Sequence, residues 1–108
     1  MIEEYIKPLK IGELTAKLPL IQGGMGVGVS LSSLAGAVAA EGGIGVLSTA
    51  QIGFYRPDFE KNPLAANLKA IAEQVKLARE KSRGGIIGAN IMVATKNYKD
   101  YVCAAVKA

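Results

Sequence analysis

The sequence predicts an α/β domain built on a parallel sheet, and two features of its order carry that expectation. Of the thirteen glycines, four, three and three fall in clusters at residues 23–28, 42–45 and 84–88, and each cluster borders a short apolar run. The runs, residues 18–21, 44–47 and 86–93, are nearly continuously apolar, as strands covered on both faces should be. Helical patterns lie between them. Strand, helix, strand, helix, strand, helix with short connections implies right-handed crossovers and a parallel sheet.

The first helix is expected to open at Ser30, with Leu31, Leu34 and Val38 at helical spacing and Gly42 past its end. The second is the best marked. Asn62 can cap it and Pro63 occupies its first position. Leu64, Leu68, Ile71 and Val75 form one apolar stripe. Arg79, Lys81 and Arg83 suit the negative dipole end, and Gly84 stops the helix. The third starts near Asn97, with Tyr98, Tyr101, Val102, Ala105 and Val106 expected to face inward. Ahead of these, residues 9–17, with Gly12 at the bend, read as a small strand pair across one end of the domain.

Composition bounds the function. A chain of 108 residues, half hydrophobic and one fifth charged, is one ordinary globular domain. No apolar run reaches the roughly 18 residues of a membrane span. Residues 1–5 carry two acids and no apolar stretch, unlike a secretory signal, so a cytoplasmic location is the expectation. Cys103 is the one cysteine, which excludes an internal disulfide and fits a small helix hydrophobe. The net charge of +4 is spread among acids with no basic block, so nucleic acid is not an expected partner. There is no histidine, which removes the commonest general acid/base and metal ligand.

The most informative segment is residues 18–30, LPLIQGGMGVGVS: a strand, a glycine-rich turn, then a helix start. Such a turn lets bare backbone approach a bound group, and amides at a helix start can face an anion. A phosphate-bearing ligand is therefore expected. The dinucleotide fingerprint G-x-G-x-x-G fits in no register, because Gly24, Gly26 and Gly28 alternate and Leu31 stands three beyond Gly28. The triphosphate loop fails because Gly28 is followed by Val29 and Ser30, without Lys.

Three further features belong on the same, C-terminal side of the strands. Ser48 and Thr49 close the second strand and can line a pocket or form a turn. Residues 48–61 make a long connection, where Phe54, Tyr55 and Phe59 are expected to pack on its own base rather than line an entrance. Asn90 interrupts an apolar strand. Period-two alternation puts Ile86, Gly88, Asn90 and Met92 on one face, and Ile87, Ala89, Ile91 and Val93 on the other, the bulkier set suited to the helix layer. A carboxamide both donates and accepts, and Gly88 leaves space beside it.

The runs PLIQGGMGVGVSL, LAGAVAAEGGIGVLS and IIGANIMVA, in this order and spacing over about residues 11–108, resemble the nitronate monooxygenase family (formerly 2-nitropropane dioxygenases). Close relatives of that family include the flavin-dependent enoyl-acyl-carrier-protein reductases. The resemblance implies a (β/α)8 TIM barrel with FMN at its C-terminal mouth, of which residues 1–108 would supply three βα units. A full barrel runs to roughly 250 residues, three strands alone leave both sheet edges open, and the sequence ends inside a helical pattern. The chain is thus expected to be an incomplete, N-terminal piece. Gly23, Gly24 and Met25 match the family segment whose backbone lies along the flavin, and Asn90 matches its cofactor-bonding asparagine. The family's catalytic histidine matches nothing here, so no catalytic residue is assigned and the isolated piece is expected to be inactive. The implied function is oxidation of alkyl nitronates, as small-molecule substrates, with oxygen. The alternatives are an enoyl-acyl-carrier-protein reductase and a non-catalytic half-barrel that binds phosphate compounds or packs on a partner.

Overall fold

The computed structural model describes residues 6–108. Residues 1–5, which bear on the expected lack of a secretory signal, lie outside the described residues. The described residues form a mixed α/β domain with three helices and two small sheets. In order they are β1 (Leu9–Ile11), β2 (Leu14–Ala16), α1 (Ser32–Ala40), β3 (Ile44–Ser48), α2 (Pro63–Lys81), β4 (Ile86–Asn90) and α3 (Tyr98–Lys107).

The expected small strand pair is present: β1 and β2 are antiparallel, and Gly12 takes a φ of +58° at their turn. Strands β3 and β4 run parallel, from Ile44 opposite Ile86 to Ser48 opposite Asn90. The expected first strand is reduced to a single parallel bridge, Ile21 to Ile44. Ile44 N donates to Leu20 O and Gln22 N to Ile44 O. Pro19 has no N–H to extend this ladder towards its start. The third strand also ends early, at Asn90, where β3 ends beside it, and Val93 is exposed in the following turn.

The alternation within the strands sorts two cores. Leu47 faces the helix layer with Ile52, Ala70, Ile71, Val75 and Tyr101, and Ile87 and Ile91 pack against this cluster. Ile44 and Val46 face the other way, against Ala16, with Ile86 alongside. The division of β4 into two faces, with Ile87 and Ile91 towards the helices, follows the period-two expectation.

Helix α2 forms as its local signals dictate. Asn62 Oδ1 accepts from Ala65 N at 3.1 Å, and Pro63 opens the helix. Its buried side includes Ile71 and Val75, but also Asn67 and Gln74, which helical periodicity of apolar residues does not reveal. Helix α1 departs from expectation. It begins at Ser32, and its buried residues are Ser32, Ala35, Gly36 and Ala39, so the face turned inward is the small-residue face. Ser30 does not cap it. Gln74 of α2 does so from outside, its Oε1 accepting from Ser32 N at 2.9 Å. In α3, Tyr101 is buried as expected while Val106 is 78% exposed. Among the described residues no helix is long and apolar enough to cross a membrane.

Candidate functional site

The glycine-rich turn lies across the C-terminal ends of β3 and β4, and its odd and even positions do different things. A Cβ on Gly24 would sit 2.5 Å from Asn90 Cβ, one on Gly26 would sit 2.9 Å from Ala50 Cβ, and one on Gly28 would sit 2.8 Å from the Phe54 ring. The alternating glycines thus face the protein, and side chains there would collide with it. Met25, Val27 and Val29 alternate with them and are 49%, 51% and 55% exposed. The alternation that defeats a dinucleotide fingerprint belongs to a turn whose glycines at 24, 26 and 28 lie against the strand ends and the loop after β3, Gly28 taking a φ of +80°.

Two residues outside the expected set hold the turn. Gln22 continues the ladder with its side chain once the main chain diverges. Its Oε1 accepts from Val46 N at 3.1 Å, and its Nε2 donates to Val46 O at 3.0 Å and to Ser30 Oγ at 3.0 Å. Ser30 is fully buried; its Oγ accepts from Met25 N at 2.8 Å, and its own N donates to Met25 O at 2.8 Å. Ser30 O in turn accepts from Ser48 N at 2.9 Å, tying the end of the turn to β3. A polar pair eight residues apart in a turn carries no sequence signal, and only the bridge to Ile44 makes it meaningful.

The residues expected to form a site fall together. Gly24 touches Asn90 directly, and Gly23 and Met25 flank it in the chain. The main chain of Met25 is fully used by Ser30, but its side chain is exposed. The N–H groups of Gly23 and Gly24 have no hydrogen-bond acceptor among the described residues, and nothing lies within 4 Å of a Cβ placed on Gly23. Asn90 stands on the β4 face away from the helices. Its side chain is exposed and makes no hydrogen bond among the described residues. Although Asn90 interrupts an otherwise apolar strand, its amide is uncovered, because among the described residues β4 pairs with β3 alone. Its carbonyl is fixed by Thr49, whose N (3.2 Å) and Oγ1 (2.9 Å) both donate to Asn90 O. Thr49 therefore locks the two strand ends in register. Two free amides and a free carboxamide beside an exposed thioether form a donor and acceptor set next to apolar surface, which suits the polar edge of a flat heteroaromatic ring.

The long connection is tied to α2 through Gly53, Ile52 and Tyr55, whereas the Phe54 ring, 47% exposed, lies against Gly28 of the glycine turn rather than on the base of its own loop. Gly53 N donates to Asn67 Oδ1 at 2.7 Å, and Ile52 is fully buried. Tyr55 donates its hydroxyl proton to Glu73 Oε2 at 2.6 Å, and Arg56 pairs with both Glu73 and Asp58. These bonds hold the Glu73 and Asp58 carboxyls below the usual carboxylate range, Tyr55 being the main cause for Glu73 and Arg56 for Asp58. Partial burial raises the Tyr55 phenol. Among the described residues no group of three or more Cys, Asp and Glu side chains gathers as a metal site would.

Comparison with known proteins places these features in one family. Residues 7–107 match the family model described as nitronate monooxygenase. A comparison with curated proteins finds no match. Because the family match spans nearly the whole sequence and includes the glycine turn, both parallel strands and Asn90, the chain belongs to the nitronate monooxygenase family.

Proposed function

We propose that this oxidoreductase-family chain contributes three βα units to a (β/α)8 barrel whose intact form binds FMN and oxidises alkyl nitronates with oxygen. The observation that supports this most is the contact of Gly24 with Asn90, which gathers unpaired amides and an unpaired carboxamide beside the exposed Met25 side chain.

The residues fit the group. A flavin ring carries alternating carbonyl and N–H groups on one edge and is apolar elsewhere. Asn90 can both donate to and accept from such an edge, and the Gly23 and Gly24 amides can donate to it. Met25 offers a soft apolar surface for the ring face. When bound, FMN supplies the redox chemistry, taking an electron or hydride equivalent from a carbanionic substrate and passing it to oxygen. The chain's own part is positional. Thr49 fixes the backbone of Asn90, Gln22 and Ser30 fix the peptides from Gly23 to Met25, and glycine at position 24 lets the two meet. With no histidine in the sequence, no proton transfer is assigned to these residues.

The test uses the intact protein purified with its flavin. Oxygen uptake with an alkyl nitronate, and no turnover of an enoyl thioester with a nicotinamide donor, is the expected result. The reverse preference would replace this reading with that of an enoyl reductase. Asn90→Ala should weaken FMN binding about tenfold, the scale of one good hydrogen bond, while leaving the melting temperature within a few degrees.

A further inference from the structure

A second feature lies on the helix side of the same strand ends. A cavity of about 560 Å³ opens between the first turns of α2 and α3, beneath the segments after β3 and β4. That volume is within the range of small-molecule sites. Gly23, Gly24, Met25 and Asn90 do not line it, so the cavity is independent of the flavin reading.

At its back stands Asn67, 1% exposed. Its Oδ1 accepts from Gly53 N at 2.7 Å, which fixes which way the carboxamide points. Its Nδ2 then donates to Gln51 Oε1 at 3.0 Å and to the Tyr101 hydroxyl oxygen at 2.8 Å. All the polar capacity of Asn67 that faces this wall is thereby used, and the remainder passes to its two partners. Tyr101 is 7% exposed, and its oxygen already accepts from Asn67. Its own proton finds no acceptor among the described residues. Gln51, at the exposed rim, has Oε1 engaged by Asn67 and Nε2 free to donate. A buried donor left without an acceptor is costly, which points to an acceptor from outside.

The rest of the lining narrows its chemistry. Lys96 is the one charged residue that lines the cavity, and it makes no ion pair among the described residues; no carboxylate lines it. The one charged group on offer is thus a cation, beside the Tyr101 and Gln51 donors and the side chains of Thr49, Thr95 and Asn97, which can donate as well as accept. Leu64, Ile91 and Met92 supply an apolar wall beside them.

We propose that this cavity binds a small monocarboxylate, its carboxylate accepting from Tyr101, Gln51 and Lys96 while a short hydrocarbon body lies on Leu64, Ile91 and Met92. A charged acceptor strengthens each of these hydrogen bonds.

Isothermal titration of the intact, flavin-loaded protein with hexanoate tests this, with hexanol and inorganic phosphate as comparison probes. Hexanoate should bind saturably, and at least tenfold tighter than either probe, since hexanol lacks the charge and phosphate lacks the hydrocarbon. Tyr101→Phe keeps the ring and removes the proton, and should weaken hexanoate about tenfold. Lys96→Gln, at an exposed position where folding is not at risk, should weaken it several-fold and flatten its salt dependence. Absence of saturable hexanoate binding, hexanol binding as tightly as hexanoate, or an affinity unchanged in both variants would each overturn the proposal.

Discussion

At residue 24 a single methyl group meets Asn90 Cβ at 2.5 Å, whereas at residue 23 it meets nothing. The two glycines therefore separate packing from binding. Gly24→Ala should lower stability by about 1–3 kcal/mol, the usual range for overpacking, seen as a drop in melting temperature. Gly23→Ala should leave the melting temperature close to wild type but weaken FMN uptake, because the new methyl would stand on the side where its amide is free. Gln22 gives a third measurement at this scale. Gln22→Ala would leave the N–H and carbonyl of Val46, a largely buried strand residue, without their partners. That should cost roughly 1–3 kcal/mol in a denaturant melt. Asn90 is legible in the sequence because an amide in an apolar run is anomalous. Gln22 is not, because a glutamine entering a turn looks ordinary until the strand beside it is known.

Among the elements, those encoded by neighbouring residues are readable in the sequence and those encoded by distant ones are not. Asn62, Pro63 and the spacing from Leu64 to Val75 specify α2 within its own length. The start of α1 depends on Gln74, forty-two residues from Ser32, and Ser30, a natural cap by its local context, serves Met25 with its hydroxyl instead. The segment at 18–21 has the composition of a strand, yet pairing is a property of two segments, and only Ile21 forms a bridge. The connection after β3 carries its own prediction. Asp58 and Glu73 titrate lower in the folded chain than when unfolded. Their pairing with Arg56 and Tyr55 therefore stabilises the fold fully above the ordinary carboxylate range, about pH 4 to 4.5. The stabilisation fades as pH falls through the lowered values. Melting temperature should fall more steeply between about pH 5 and pH 3 in the wild type than in Glu73→Gln, and superimposable profiles would mean that the network contributes nothing. High salt should shrink the difference, since these groups lie near the surface.

Across the whole molecule, the site residues come from opposite ends of the chain and meet because parallel strands present their C-terminal ends together. The turn that precedes α1 reaches Asn90 at the end of β4, sixty-six residues beyond Gly24. Leu20, Ile21, Val27 and Val29, each more than half exposed, run along this same turn and the segment leading into it. In the proposed barrel these side chains, and the open edge of β4, would be covered by neighbouring strands, and the Asn90 carboxamide would face an enclosed mouth. The architecture of that barrel is where family resemblance adds most to the residues themselves, because two parallel strands and three helices fix a local frame and not a closure.

The seat of the flavin is the claim on which the functional reading depends, and a crystal structure of the intact protein with FMN bound tests it most directly. The polar edge of the ring is predicted to lie within hydrogen-bonding distance, about 2.7–3.2 Å, of the Asn90 carboxamide, with the Gly23 and Gly24 amides turned towards the cofactor. A flavin bound on the helix side of β4, or one that leaves Asn90 and the glycine turn untouched, would contradict it.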